Sequence, residues 1–319
     1  MIAIEEIHAA AARLAPHLEP TPLIASPWLS ALAGAEVRLK LESLQVTRSF
    51  KVRGALNALS RLAERQPRPV VVTASAGNHG RAVAWAAERL GLAAVVFTPR
   101  SAPHAKVGPI RAHGADLRPI ADDYEGAEVL AMEWAARTGA VFVSPYSHAD
   151  VIAGGGTVAL EVVAAWPEVE EIVVAIGGGG LISGIARLVT SERRRVRVIG
   201  VEAEASSAFS AARRAGRIVT IQPQPSLADG LGGNVEPETL TWPYIRDLVH
   251  EVVTVSEQEL AASLRGLVIE EHLIAEGAGI AAVAAAAVGR ITLRKAAVVV
   301  SGANIDSPTL VRVLTSASQ

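Results

Sequence analysis

The sequence predicts an α/β fold, with open, mostly parallel twisted sheets flanked by helices, and three observations carry that expectation. Short Val/Ile-rich runs alternate with Ala-rich stretches of helical period along nearly the whole chain. The runs are bounded by Gly, Pro or polar turn residues, as strands covered on both faces usually are. The length, 319 residues against about 150 per domain, leaves room for two domains.

Taken in order, the first strand is expected at 37–42, and the polar stretch after it opens a helix at 50–65. Arg65-Gln66-Pro67-Arg68-Pro69 breaks that helix and leads to a strand at 70–75, a helix at 78–90 and a strand at 93–98. A helix at 121–137 and a strand at 140–144 follow, and Ser144-Pro145-Tyr146-Ser147-His148 makes a second break. Beyond it lie strands at 171–176 and 196–201, with a helix opening at Leu181 and running over 184–191 between them. Gln222-Pro223-Gln224-Pro225 reads as a surface loop, 257–270 as a helix and 296–301 as the last strand. The two breaks divide the chain into a small domain, 67–147, and a discontinuous large domain, 1–66 with 148–319.

Composition removes several function classes. Thirty basic residues against 32 acidic give a net charge of −2, where a nucleic-acid binder needs a basic surplus. With no cysteine there are no disulfides, iron–sulfur clusters or thiolate zinc sites, and the eight histidines form no His-x-x-x-His pair. Only 4% of the residues are aromatic, so Ala, Val, Leu and Ile must fill the core. The longest apolar run, 280–288, is far short of the roughly 20 residues of a membrane span. Glu5 and Glu6 stand where a secretory signal would carry Lys or Arg, so a cytoplasmic protein with no membrane or nucleic-acid partner is expected.

Ligands of open α/β sheets bind beyond the carboxyl ends of strands, and polar loops stand at four such ends. Gly177-Gly178-Gly179-Gly180 follows the strand at 171–176 and opens a helix. Its backbone can approach a ligand closely, and exposed N–H groups at a helix N-terminus attract phosphate. The alternative is a flexible turn. The Gly-x-Gly-x-x-Gly fingerprint fails, because Ile182 or Ser183 holds the third position, so a single-phosphate ligand suits the loop better than a dinucleotide. Thr73-Ala74-Ser75-Ala76-Gly77-Asn78-His79-Gly80 is a second candidate anion cup, or else a helix N-cap by Ser75 or Asn78. In Thr47-Arg48-Ser49-Phe50-Lys51-Val52-Arg53-Gly54-Ala55 a lysine stands in a first helical turn, where the helix dipole disfavours it. Lys51 is therefore a functional candidate or an ordinary surface lysine. Ser301-Gly302-Ala303-Asn304 follows the last strand.

Together with Thr21-Pro22-Leu23, Leu39-Lys40-Leu41-Glu42, Val151-Ile152-Ala153-Gly154-Gly155-Gly156-Thr157, Ala228-Asp229-Gly230 and Glu276-Gly277-Ala278-Gly279, these segments resemble one family. It is the fold-type-II pyridoxal-phosphate enzymes, the tryptophan-synthase-β-like fold, in their serine/threonine dehydratase and serine racemase group. The resemblance covers nearly the whole chain. It implies pyridoxal 5'-phosphate held by Lys51 as a Schiff base, with Phe50 beside the ring. It implies Gly177, Gly178, Gly179, Gly180 and Leu181 on the phosphate, Asn78 on the phenolic oxygen, Ser301 on the pyridine nitrogen and Gly230 against the ring. Ser75, Gly77, Asn78 and His79 would receive the carboxylate of an amino acid substrate. Relatives are commonly dimers or tetramers, so a homo-oligomer is implied.

A neutral serine at the pyridine nitrogen, unlike an aspartate, cannot hold that nitrogen protonated by charge, which favours β-elimination over transamination. Racemases of the family carry a proton-donating serine where this chain has Ala76, so the expected reaction is a dehydratase or ammonia-lyase reaction on a serine/threonine-type amino acid. A serine-type racemase and a 3-hydroxyaspartate dehydratase are the alternatives within the family. An NAD-linked oxidoreductase, resting on the glycines and Glu202, is the alternative outside it. Arg48 replaces the glycine usual before Ser-Phe-Lys, and Gly155 stands where many relatives have Gln. Tyr146-Ser147-His148 replaces an aromatic and two acids, with His148 read as a rim or structural residue before a catalytic one. The divalent-cation site of some relatives is not favoured, since Glu202 fits one ligand but Ala208 takes the second, with Glu204 a possible substitute. Glu276 reads as a helix cap or as support for the cofactor. The short stretch after Ser301 leaves no room for the regulatory domain of biosynthetic threonine dehydratases, an expectation that favours a catabolic enzyme.

Overall fold

The computed structural model describes residues 1–192 and 195–316. The chain begins with α1 (Ile4–Leu14), β1 (Leu23–Ala25), α2 (Pro27–Ala33), β2 (Glu36–Leu41) and α3 (Lys51–Ala63). Next come β3 (Val71–Ala74), α4 (Asn78–Leu90), β4 (Ala94–Pro99), α5 (His104–Ala112), β5 (Asp116–Ala121), α6 (Tyr124–Thr138) and β6 (Val141–Phe142). The third stretch is α7 (Ala149–Ala165), β7 (Glu171–Ala175), α8 (Gly180–Glu192), β8 (Arg197–Ala203), α9 (Ala208–Ala215) and α10 (Trp242–Asp247). It closes with β9 (Glu251–Val255), α11 (Glu257–Glu270), α12 (Gly277–Ala287), β10 (Lys295–Val300) and α13 (Ser307–Thr315).

The strands form two sheets, one of six in the order β1-β2-β10-β7-β8-β9 and one of four in the order β5-β4-β3-β6. Every pairing is parallel except β1 against β2. The α/β class with mostly parallel, helix-flanked sheets therefore stands. In β7, Val173 and Ala175 enter one apolar core while Ile172, Val174 and the following Ile176 enter another. β10 divides likewise, with Ala296, Val298 and Val300 against Ala297 and Val299. A strand buried on both faces needs apolar residues at every position, which is why these runs show no alternation.

The sequence expectations miss several elements. β1 has three residues, too few for a pattern, and β5 went unread just before the segment read as helix, sharing only Ala121 with it; that helix begins at Tyr124 after its Asp123 cap. α7 is the largest omission, because its Gly154-Gly155-Gly156 run costs about 1 kcal/mol per glycine relative to alanine in a helix. Packing supplies the reason for the glycines. A Cβ on Gly154 would lie 2.5 Å from Arg53 O and 2.6 Å from Gly54 Cα, and one on Gly184 would lie 2.4 Å from Gly156 N. α7 thus carries α3 on one glycine contact and α8 on the other at backbone distance.

A buried charged joint fixes the same region. Arg53 donates from Nε and Nη2 to the two oxygens of Glu42 (2.7 and 2.8 Å), and from Nη1 and Nη2 to those of Glu161 (2.5 and 2.9 Å). Lys40 Nζ donates to Glu161 Oε2 and to Thr21 O, and Thr21 Oγ1 donates to Glu42 Oε1. Burial works against the Arg53 charge, but Glu42 and Glu161 override it and hold the guanidinium protonated. Every charge in the joint is paired and hydrogen-bonded, the condition under which buried ions are tolerated.

Candidate active site

Four loops at the carboxyl ends of strands meet between the sheets. The one after β2 ends in Lys51, the first residue of α3, whose N-cap Phe50 offers no side-chain cap. This loop is stitched to the end of β10, since Phe50 N donates to Ser301 O (3.1 Å) and Ser49 bridges to Gly302. Arg48, just before it, is forced to a φ of 61°, the left-handed region, which gives the glycine usual there a physical reason.

Lys51 Nζ donates to Pro145 O at 2.7 Å and lies 5.1 Å from the centre of the Phe50 ring. Burial lowers the amine's pKa from 10.5 to about 8, against the opposing influence of the Glu276 carboxylate. The contact with Pro145 leads straight to the tetraglycine turn. The ring of Tyr146 covers Gly178 so closely that a Cβ there would sit 2.2 Å from its Cγ, and the Tyr146 backbone lies against Gly180. Gly179 has a φ of 86° and packs on Ile245 and Thr241, while Thr241 Oγ1 donates to Gly178 O at 2.9 Å. Gly177 faces Gly230 O and Leu231 on the far side, and Leu181 is buried. The turn is a rigid cradle.

Among the described residues, the first N–H after Ile176 to reach a backbone carbonyl is that of Ser183, which donates to Gly179 O. The N–H groups between them stand at the amino end of α8, as anion-binding helix termini present them. Ser183 Oγ is buried there with no partner among the described residues.

The loop after β3 opens α4, whose N-cap is Gly77 and not Ser75 or Asn78; Ser75 Oγ accepts from Gly77 N at 3.2 Å. Asn78 turns its amide toward Glu276 and Asn304. His79 is buried, its Nε2 is 3.1 Å from Val143 O, and its Nδ1 has no partner among the described residues. Burial, with Lys51 nearby, pushes its pKa down to about 3, so the ring is neutral. Ser301 is buried at the end of β10.

Glu276 does not cap α12 with its side chain; its carboxyl takes Asn78 Nδ2 at 2.5 Å and presses on Gly302. Burial pushes it up to about 7 despite that hydrogen bond. The acceptor at Pro145 and the support from Thr241 carry no sequence signal, because one is a carbonyl and the other lies 63 residues from its partner. His148 caps α7 by accepting from Asp150 N. Glu202 accepts from Phe209 N, Ser210 N and Ser210 Oγ at the start of α9, which engages the carboxylate considered for a cation. Glu204 is exposed.

The parts fit pyridoxal phosphate: a half-buried primary amine, a glycine cradle that leaves no room for side chains, and a buried hydroxyl at a third strand end. This combination defines a pyridoxal-phosphate enzyme. The chain belongs to that family, because the model described as "Pyridoxal-phosphate dependent enzyme" matches residues 14–302. Among relatives it is 39% identical to the L-threonine ammonia-lyase of Thermotoga maritima, over 98% of this chain and 78% of that one. It is 37% identical to the catabolic L-threonine dehydratase TdcB of Escherichia coli, over 96% and 94%. Among solved structures, maize serine racemase superposes with a TM-score of 0.91 at 33% identity, covering 97% of this chain and 95% of that one.

Proposed function

We propose that this chain is a pyridoxal-phosphate-dependent ammonia-lyase that converts a serine/threonine-type amino acid into a 2-oxo acid and ammonia. The observation that carries the proposal is the half-buried Lys51 amine, held on Pro145 O between the cradle and the end of β10. Lys51 would bind the cofactor, with Gly177 to Gly180 and Leu181 on its phosphate, Phe50 and Gly230 against its ring, and Asn78 and Ser301 on its polar ring atoms. Bound there, pyridoxal phosphate supplies the electron sink for the pair left at the substrate's Cα.

Lys51 Nζ takes the Cα proton. Its pKa of about 8 makes free amine available near neutrality, as a general base needs. The substrate carboxylate lies at the amino end of α4, against Ser75, Gly77, Asn78 and His79. His79 contributes there through its main-chain N–H, because its neutral ring is directed at Val143 O. The Cα proton taken by Lys51 and the β-hydroxyl together leave as one water, and the released enamine, after tautomerising to the imine, takes up water to give the 2-oxo acid and ammonia. Ala76 offers no proton for return to the opposite face of Cα, and the neutral Ser301 favours elimination. The substrate range includes serine as well as threonine.

No helix among the described residues is long and apolar enough to cross a membrane. Cytoplasmic residence, a homo-oligomer, and a division into 1–66 with 148–319 and a smaller 67–147 unit belong to the same proposal. The test is a screen of serine, threonine and 3-hydroxyaspartate for ammonia and 2-oxo acid release by cofactor-loaded protein. Inversion of the amino acid without ammonia overturns the lyase reading. Ala76→Ser is expected to raise racemisation relative to elimination, and an unchanged ratio removes the argument from that position.

A further inference from the structure

The amide of Asn78 is held at both ends by a chain of hydrogen bonds whose direction is dictated by chemistry. Arg81 Nη1 donates to Asn304 Oδ1 at 2.7 Å, and a guanidinium has no acceptor, so the oxygen of Asn304 must face it. The Asn304 Nδ2 group then faces the other way and donates to Thr47 O (3.0 Å) and to Asn78 Oδ1 (2.5 Å). That leaves Asn78 Nδ2 to donate to Glu276 Oε1 at 2.5 Å. Above about pH 7, where Glu276 is ionised, its carboxylate can only accept, so the far end of the chain then imposes the same orientation as the near end.

Side-chain amides otherwise turn over with little change of shape, exchanging a donor for an acceptor. An Asn78 with its carbonyl toward the cofactor would meet the ring's phenolic oxygen lone pair to lone pair. One Asn78 N–H is given to Glu276, and the other has no partner among the described residues. The relay also joins α4, which carries Asn78 and Arg81, to Thr47, Glu276 and Asn304 around the end of β10. The loop that receives the substrate is thereby registered on the one that carries Lys51.

We propose that Glu276, Asn304 and Arg81 are positioning residues that lock the Asn78 amide in the orientation presenting its free N–H to the cofactor's phenolic oxygen. This inference rests on the cofactor reading above. The decisive variant is Asn304→Asp, which keeps size and still accepts from Arg81 but cannot donate to Asn78. The readouts are the dissociation constant for pyridoxal phosphate, by equilibrium dialysis against cofactor-free protein, and the visible absorption maximum of the loaded protein.

Asn304→Asp is expected to weaken cofactor binding about tenfold or more and to shift the maximum, the scale of one mis-paired buried polar group. In an Asn78→Ala background the same change is expected to cost less than about twofold, because there is no amide left to turn. Glu276→Gln, whose carbonyl still accepts, is expected to stay within about threefold of wild type, and Glu276→Ala to approach Asn78→Ala. An Asn304→Asp loss of equal size with and without Asn78 overturns the relay, since it would then be a general effect of the added charge or of altered folding. Unchanged affinity in Asn304→Asp alongside normal wild-type binding overturns the relay alone. A wild type that takes up no cofactor overturns the functional reading and the relay together.

Discussion

Replacing Gly154 by alanine tests whether α7 sets the place of Lys51. The new Cβ would lie 2.5 Å from Arg53 O, 2.6 Å from Gly54 Cα and 2.7 Å from Arg53 C, all rigid backbone. Ordinary contact begins near 3.4 Å, so α3 must part from α7. The separation needed is about 1 Å, a misplacement that can cost on the order of 100-fold in rate at a reacting centre. Alanine gains up to about 1 kcal/mol in helix propensity, whereas overpacking of this kind costs about 1–3 kcal/mol. With three backbone clashes the upper part of that range applies, for a net loss of about 1–2 kcal/mol. The neighbouring Gly155 is the internal control, because its Cβ would stand 3.2 Å from Leu181 Cα and 3.4 Å from Gly180 O, a contact that small shifts relieve. Gly155→Ala gains the same propensity and is expected to stay within about 1 kcal/mol of wild type. Urea unfolding of the cofactor-free proteins measures the difference, and titration with pyridoxal phosphate reports the displacement of Lys51. Equal stability in the two variants, or wild-type cofactor affinity in Gly154→Ala, would refute the reasoning.

Capture of pyridoxal phosphate requires the free amine of Lys51, so its rate, followed by visible absorbance after mixing, is expected to rise with pH through about 8 and not through 10.5. Glu276→Gln removes a carboxylate that supports the ammonium form, and the midpoint should move lower; an upward move contradicts the arrangement. Arg48→Gly relieves a left-handed residue but loosens the unfolded chain, for a net gain of up to about 1 kcal/mol in urea unfolding, whereas Arg48→Val should lose stability. His79 has a folded pKa near 3 against an ordinary 6.5, so between those values the unfolded chain binds the extra proton. Its contribution therefore makes stability fall on acidification below 6.5, by up to about 1.4 kcal/mol per pH unit, and His79→Gln should reduce that slope.

Much of the fold was legible because strands buried on both faces are apolar on both, as at 172–176 and 296–300. Helices built on close approach were not, since the glycines that bring α7 to α3 and α8 are the residues that argue against a helix locally. At the site, Lys51 and Gly177–Gly180 stood out because their chemistry conflicts with an ordinary helix start or turn. On residues alone Lys51 kept a bland alternative, which the ordered set of motifs removed. Pro145 and Thr241 stayed hidden because a backbone acceptor and a threonine behind the cradle have no pattern of their own. The Asn78 orientation depends on partners at positions 81, 276 and 304, a relation that only folding creates.

The joint around Arg53 has an electrical consequence for its neighbour two residues back. A bare guanidinium so near would repel a second cation and drive the Lys51 ammonium to lose its proton far more readily. Because Glu42 and Glu161 balance Arg53 and Lys40 within the same few ångströms, little net field leaves the cluster. The acid–base behaviour of the lysine is thus insulated from the charges that anchor its helix and left to answer first to its burial and then to Glu276 across the cleft.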